Sequence, residues 1–192
     1  MLFNLYLKSR HLARTALLAA ALVAGLMLTA RAVCGQDATA QTSQKEVSQL
    51  LEQSKAAAAQ LEHDTLVLES FTRGHLSLQS HGDQLTRVKE HINSMGEDVQ
   101  RLRELRPAAA SWQQQAIDRI IPLMTEMASL TESAIEHLNA NPNKLHIPEY
   151  TEYLKENAEL ATELSALISD SVKYDRAKAK LAELEKSLGL AA

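Results

Sequence analysis

The sequence predicts an all-α protein: an antiparallel up-down-up-down four-helix bundle with a long C-terminal helix, preceded by a signal peptide. Apolar residues recur at steps of three and four along most of the chain. Glycine and proline fall mainly between these periodic segments, and no Asn-Gly or Asp-Gly hairpin signal occurs. The 192 residues are enough for one domain with a continuous core.

The first 32 residues have the three parts of a secretory signal peptide. Lys8, Arg10 and Arg14 precede the apolar run ALLAAALVAGLML, and Ala30-Arg31-Ala32 follows with small residues at alternate positions. We therefore predict cleavage after Ala32 and export to the periplasm or the extracellular space.

Residues 33–44 are small and polar and are predicted to form a flexible leader. Cys34 is the only cysteine, so it has no intramolecular disulfide partner and is interpreted as a spectator thiol. Lipid attachment to Cys34 normally needs a leucine-like residue three places before the cysteine and a small residue directly before it. These two positions hold Arg31 and Val33, so no lipid attachment is predicted. The alternative to cleavage is a retained membrane tether at residues 15–30, although its apolar run is shorter than the ~20 residues that span a bilayer.

Charge argues against nucleic acid as a partner. Loss of residues 1–32 removes four of the 20 basic residues and none of the 24 acidic ones, which takes the net charge from −4 to −8. An acidic chain without a basic block has little to offer a phosphate backbone.

The bundle is predicted to occupy residues 45–190. Its four helices are expected at about 45–73, 77–105, 111–140 and 148–188. Ser111 suits the N-cap of the third helix, and Pro122 should bend it. Short connections between helices of similar length favour antiparallel neighbours. The end of the longer fourth helix is expected to be a charged, solvated tail, with packing on the leader or a coiled-coil contact as the alternatives.

One apolar row of the second helix contains a histidine. The row steps by three and four through Leu78, His81, Leu85, Val88, Ile92, Met95, Val99 and Leu102. Antiparallel layering places His75, His81, His137 and His146 at the same end of the bundle. Since imidazoles ligate zinc, copper and nickel, His81 and His137 are the candidate metal ligands, with His75 and His146 as weaker candidates.

A structural role for these histidines is the favoured interpretation. His81 is expected to hydrogen-bond to Tyr153 or to a backbone carbonyl, because buried polar groups are normally paired. His137 is expected to point sideways, and His75 and His146 to bond to free carbonyls at helix ends.

The sequence lacks residues that common catalytic and cofactor-binding motifs require. Covalent haem needs C-x-x-C-H, and di-iron carboxylate bundles need Glu-x-x-His, but the chain has a single cysteine and no glutamate three places before a histidine. The sequence also lacks G-x-S-x-G, a Walker loop and H-E-x-x-H. We therefore predict no catalytic residues, no cofactor and no enzymatic activity.

The predicted function is that of an exported, non-enzymatic helical bundle that acts through its surface, as a binding, scaffolding or chaperone-like protein. Its partner is expected to be an unidentified protein or a second copy of the chain, with no nucleic acid and, after signal cleavage, no membrane. The alternative is a metal-binding or metal-sensing bundle that uses the histidines at one end.

Overall fold

The structure is a computed structural model that describes residues 40–74 and 76–190. These residues are all-helical apart from short connections, contain no strand, and form four long helices that pack against each other. The chain divides into a unit of Met1–Thr42, nearly all of which is outside the described residues, and a unit of Ser43–Ala192. The predicted signal peptide, the alternative tether and Cys34 all lie outside the described residues.

The bounds of the four helices are as follows. Helix α1 covers residues 40–70 and continues into a 3-10 turn at Phe71–Arg73, α2 covers Leu78–Leu105, α3 covers Ser111–Ala140, and α4 covers Pro148–Ser187. A second 3-10 turn, Arg106–Ala108, connects α2 to α3 and contains Pro107. Pro148 is the first residue of α4, a position where the missing backbone N–H costs nothing.

The expectation that residues 33–44 form a flexible leader is wrong for its last part, because residues 40–44 are helical. This stretch contains neither glycine nor proline, and Gln113 of α3 ties the start of α1 down. The Gln113 side-chain nitrogen donates to the Gln44 carbonyl at 2.8 Å and to the Ser48 hydroxyl at 3.1 Å. Residues 33–39 lie outside the described residues.

The start of α3 also differs from the expectation. Ser111 is the first helical residue and not the cap, which is Ala110 in an extended conformation. The side-chain oxygen of Gln113 accepts a hydrogen bond from the Ala110 N–H at 2.9 Å, and so replaces the expected serine cap. Helix α3 continues through Pro122, which lies on its exposed side.

The core lies between the periodic faces of the four helices. In the row predicted for α2, His81 and the six residues that follow it are buried, while Leu78 is 41% exposed because it is the first residue of the helix. The largest side chains that are fully buried come from all four helices: Leu51, Leu61, Leu68, Leu85, Met95, Leu102, Ile117, Ile120, Met127, Tyr150, Leu154 and Leu164. Helical periodicity therefore identifies the residues that hold the unit together.

Contacts at the two ends of this unit show which residues lie level with each other. At one end, Arg101 of α2 pairs with Glu46 of α1 at 2.7 Å, and Trp112 of α3 meets Tyr174 of α4 with ring centroids 5.1 Å apart. At the other end, Phe71 of the turn after α1 contacts His81 of α2, and His81 and His137 of α3 both contact Tyr150 of α4. Among the described residues, no helix is both long enough and apolar enough to cross a membrane.

Candidate functional site

The four-helix unit has two candidate functional features: a buried histidine cluster at one end and an exposed apolar stripe at the other. The cluster centres on His81, which is 0% exposed. Its Nδ1 lies 3.0 Å from the Tyr150 hydroxyl, and its ring meets that of Phe71 edge-on at 5.4 Å. The second ring nitrogen, Nε2, is buried and has no hydrogen-bond partner among the described residues.

The expected partner of His81, Tyr153, is wrong. The Tyr153 hydroxyl donates instead to Glu149 Oε1 at 3.1 Å on the surface of α4. Tyr150 precedes the buried Leu154 by four residues, which places it on the core face, whereas Tyr153 is turned about 100° to the side. The helical period therefore decides which tyrosine reaches His81.

The expected sideways orientation of His137 is also wrong. His137 is 8% exposed, and its ring stacks on that of Tyr150 with centroids 5.3 Å apart and an interplanar angle of 25°. Its Nε2 lies 3.4 Å from the Lys144 carbonyl oxygen in the loop before α4. Tyr150 thus lies between the imidazoles of α2 and α3. His146 is exposed, and His75 lies outside the described residues.

Burial keeps the centre of this cluster uncharged. Desolvation lowers the pKa of His81, and the nearby His146 lowers it further because a second positive charge would repel the first. Desolvation also raises the pKa of the Tyr150 hydroxyl above its ordinary value. At neutral pH the His81–Tyr150 hydrogen bond therefore joins two neutral groups, and whichever tautomer His81 adopts, its Nε2 has no partner among the described residues.

As a metal site, the cluster offers few ligands. Within the described part of the chain, no group of three or more His, Cys, Asp or Glu side chains is arranged to hold a metal ion. The rings of His81 and His137 both contact the Tyr150 ring, and the Tyr150 hydroxyl already pairs with the Nδ1 atom of His81. The geometry fits a hydrogen-bonded aromatic cluster better than a ligand set.

Sequence reasoning missed two buried polar pairs, Gln84 with Asp64 and Asn157 with Thr131. Gln84 donates to the Asp64 side chain at 3.2 Å and to the Asp64 carbonyl at 3.0 Å, and His91 lies 3.0 Å from the other Asp64 oxygen. Asn157 donates to the Thr131 hydroxyl at 2.6 Å, which leaves its own carbonyl oxygen without a hydrogen-bond partner. In the sequence, both pairs could have been recognised from a polar residue at a position that the helical periodicity assigns to the buried face.

A groove of about 300 Å³ runs along the surface between α2 and α3. Ile92, Thr131 and Ile135 line its deeper part, and Lys89 and Glu132 are among the exposed residues at its edge. The rim carries charges of both signs, so the groove has no marked preference for an anion or a cation.

The second feature lies at the C-terminal end of α4. The last residues of α4 that contact the rest of the bundle are Tyr174, against Trp112, and Arg176, whose guanidinium pairs with Glu52 at 2.7 Å. We call residues 177–190 the C-terminal overhang; all of them are exposed. Its helical part, up to Ser187, is about 16 Å long at 1.5 Å per residue.

This overhang is the solvated tail that the sequence predicts, but it is not uniformly polar. Leu181 is 56% exposed, Leu184 is 50% exposed and Leu188 is 70% exposed. Together with Ala177 they follow steps of four, three and four, so they lie on one face of the helix. We call these four residues the C-terminal stripe.

The C-terminal stripe continues only part of the apolar surface that α4 uses in the bundle. Leu181 and Leu188 repeat at seven-residue steps from Leu167, which packs against the core, and Tyr174, whereas Ala177 and Leu184 follow exposed acids. Core positions that recur every seven residues are buried within the bundle and charged in the overhang: Asn157, Leu164 and Ser171, then Lys178 and Glu185. The positions one residue earlier change in the opposite sense, from exposed acids to apolar side chains: Glu156, Glu163 and Asp170, then Ala177 and Leu184. The fully buried row of α4 thus becomes charged beyond Ser171, and an exposed row one residue earlier becomes apolar.

Comparisons of the chain with protein-family models, with curated proteins and with solved structures found no match, so the site is interpreted from its own residues.

Proposed function

We propose that this chain is an exported, non-enzymatic helical-bundle protein that acts by binding another protein through its surface. The observation that carries the proposal is the C-terminal stripe, where Leu181, Leu184 and Leu188 are each at least 50% exposed at the end of α4. Contiguous exposed apolar surface is typical of protein interaction sites. An amphipathic helix of this kind is recognised by a partner that covers its apolar face.

The non-enzymatic part of the proposal rests on the residue types in the sequence. The chain has one cysteine and lacks the common nucleophile and metal motifs. In the buried cluster, His81 and Tyr150 are hydrogen-bonded to each other in the core, which suits packing and leaves no open face for a substrate. Turnover of any substrate in a broad activity screen would overturn this part.

The antiparallel up-down-up-down order belongs to the same proposal. It is supported by contacts that show which helix ends lie side by side. The start of α1 contacts the start of α3 through Gln44 and Gln113, and Glu52 of α1 pairs with Arg176 near the end of α4. Export is supported by the basic head, apolar run and Ala30-Arg31-Ala32 of the sequence.

Site-specific photo-crosslinking tests the binding role. A photoreactive amino acid replaces Leu184 in the C-terminal stripe or, as a matched control, Lys186, which lies about 200° away on the same overhang. In cells that express the chain, we expect adducts from position 184 and few from position 186. Absence of any protein adduct from position 184 would contradict the proposed function.

Export is tested separately by fractionating cells and weighing the accumulated protein. Cleavage after Ala32 leaves residues 33–192 in the exported fraction. A membrane-bound product that retains residues 15–30 supports the tether instead, and a full-length product that remains in the cytosol contradicts export.

The second candidate function is a metal-binding bundle, and one observation favours it: His81 Nε2 is a buried nitrogen with no hydrogen-bond partner among the described residues. A bound metal raises the thermal midpoint by mass action. Melts of the protein with chelator are compared with melts in stoichiometric Zn²⁺, Cu²⁺ or Ni²⁺, and the same series is run on His81→Leu. A thermal midpoint that rises with metal in the wild type but not in His81→Leu supports a metal site. If no metal raises the midpoint of the wild type, the metal-binding function is wrong.

A further inference from the structure

The C-terminal stripe has the spacing of a coiled-coil seam. Its steps of four, three and four average 3.5 residues, the repeat that two helices share when they wind around each other. The helix that carries the stripe is already formed, because α4 runs unbroken from the bundle to Ser187. A partner helix of the same spacing would therefore meet a rigid, protruding template.

We propose that the partner is a second copy of this chain, and that the two C-terminal overhangs pair antiparallel, stripe against stripe. This inference rests on the proposed function and names its partner. Two observations carry it: the way the stripe residues match each other in size, and the way the flanking charges match in sign.

Size favours the antiparallel direction. With Leu181 of one copy opposite Leu184 of the other, Ala177 lies opposite Leu188, so the smallest member of the stripe meets a large one. A parallel pair instead places Ala177 opposite Ala177 and leaves a gap in the seam, which costs packing energy. Interdigitation of large and small side chains is the arrangement that fills a helical interface.

Charge favours the same direction. In heptad terms, Lys178 and Glu185 directly follow the seam residues Ala177 and Leu184, and an antiparallel pair brings such positions together across the interface. Lys178 of each copy then lies beside Glu185 of the other, twice by symmetry. In a parallel pair, Lys180 would meet Glu185, but Lys173 would face Lys178, and like charges at such positions are unfavourable.

The antiparallel direction also separates the two bundles. The helical part of each overhang is about 16 Å long, and an antiparallel pair places the two bundles at opposite ends of the paired segment. The interface is shorter than a standard protein–protein interface, and we expect a weak dimer with a Kd on the order of 10 to 100 µM.

Analytical ultracentrifugation of the purified chain, in the processed form that accumulates in cells, tests the dimer. Over loading concentrations from about 5 to about 500 µM, we expect the mass to rise from one chain towards two. The double variant Leu181→Glu/Leu184→Glu should raise the Kd more than about tenfold. The matched control is Leu66→Glu, which adds a charge at an apolar residue of α1 that is 45% exposed and should leave the Kd unchanged.

Reversing the sign of single charges tests whether the two overhangs pair antiparallel or parallel. Glu185→Lys should weaken the dimer, and adding Lys178→Glu should restore it, because the pair is then reversed in sign across the interface. Adding Lys180→Glu should not restore it. Rescue by Lys180→Glu in place of Lys178→Glu would overturn the antiparallel arrangement.

Two results would overturn self-association itself: a single-chain mass at every concentration, or a dimer that Leu181→Glu/Leu184→Glu does not weaken. These failures are distinguishable from failure of the proposed function. A chain that stays monomeric while position 184 crosslinks to a different protein refutes the second copy and retains the binding role.

Discussion

The buried pair of His81 and Tyr150 makes a quantitative prediction about stability and its dependence on pH. Tyr150→Phe removes the hydroxyl that lies 3.0 Å from His81 Nδ1 and leaves both ring nitrogens of a fully buried imidazole without a partner. Leaving a buried polar group unsatisfied costs about 1–3 kcal/mol of unfolding free energy. The double variant His81→Leu/Tyr150→Phe replaces both members with apolar groups, so at pH 8 we expect it to be close to the wild type and clearly more stable than Tyr150→Phe alone.

The same pair determines whether the free energy of unfolding rises or falls as the pH is lowered. Burial and the nearby His146 lower the pKa of His81 in the folded state below its ordinary value of 6.5. Between that lowered value and 6.5 the unfolded chain binds more protons than the folded one, so the free energy of unfolding falls as the pH falls below 6.5. The loss amounts to about 1.4 kcal/mol for each pKa unit of lowering, and it stops growing once the folded state also binds the proton.

Urea unfolding at pH 8 and at pH 5 measures this difference. We expect the wild type to lose more stability between the two pH values than His81→Leu/Tyr150→Phe does, because the double variant lacks the buried imidazole. The matched control is His63→Gln, which removes an exposed imidazole of α1 and should keep the wild-type pH profile. Equal losses in the wild type and the double variant would refute the assignment of His81 as the buried, neutral group.

Three further predictions concern the core and the C-terminal overhang. Leu164→Ala, at a residue that is 0% exposed, should cost about 2–5 kcal/mol in urea unfolding, whereas Leu184→Ala, at a half-exposed residue, should change stability by less than about 0.5 kcal/mol; equal costs would contradict the burial pattern of α4. Asp64→Ala should cost about 0.5–1.5 kcal/mol because the Gln84 amide loses its side-chain acceptor and keeps the Asp64 carbonyl, and Asp64→Asn should recover part of that cost. Truncation after Arg176 should leave the thermal midpoint of a dilute sample unchanged and remove the dependence of mass on concentration, and a lower midpoint would show that the overhang supports the bundle.

The helical period was enough to predict an all-α chain with four helices packed together, and the structure confirms this. A face that repeats every three or four residues has one efficient way to be buried, which is against the same kind of face on another helix. The bounds of α2, α3 and α4 lie within about a residue of those expected, because Pro107, Pro148 and the loop before Pro148 interrupt helical bonding locally.

The errors come from side chains that act across helices. Residues 40–44 look like a leader when read alone, but the side chain of Gln113, which is far away in the sequence, hydrogen-bonds to the Gln44 carbonyl at the end of this stretch. In the same way, the sequence placed His81 at the correct end but not on the correct tyrosine. The choice between Tyr150 and Tyr153 depends on the rotation of α4 about its axis, which the packing of all four helices sets.

The change of register along α4 links the fold to the proposed function. A bundle helix needs one apolar face, and in α4 that face ends at Val172. If the remaining residues served only to keep the helix soluble, polar side chains on every face would suffice, as at Lys178 and Glu185. Leucines instead occupy a neighbouring face, at positions 181, 184 and 188, where they cost solubility and contribute nothing to the core. Because the stripe lies beyond Val172, the last buried residue of α4, one helix can pack in its own bundle and present its end to a second partner.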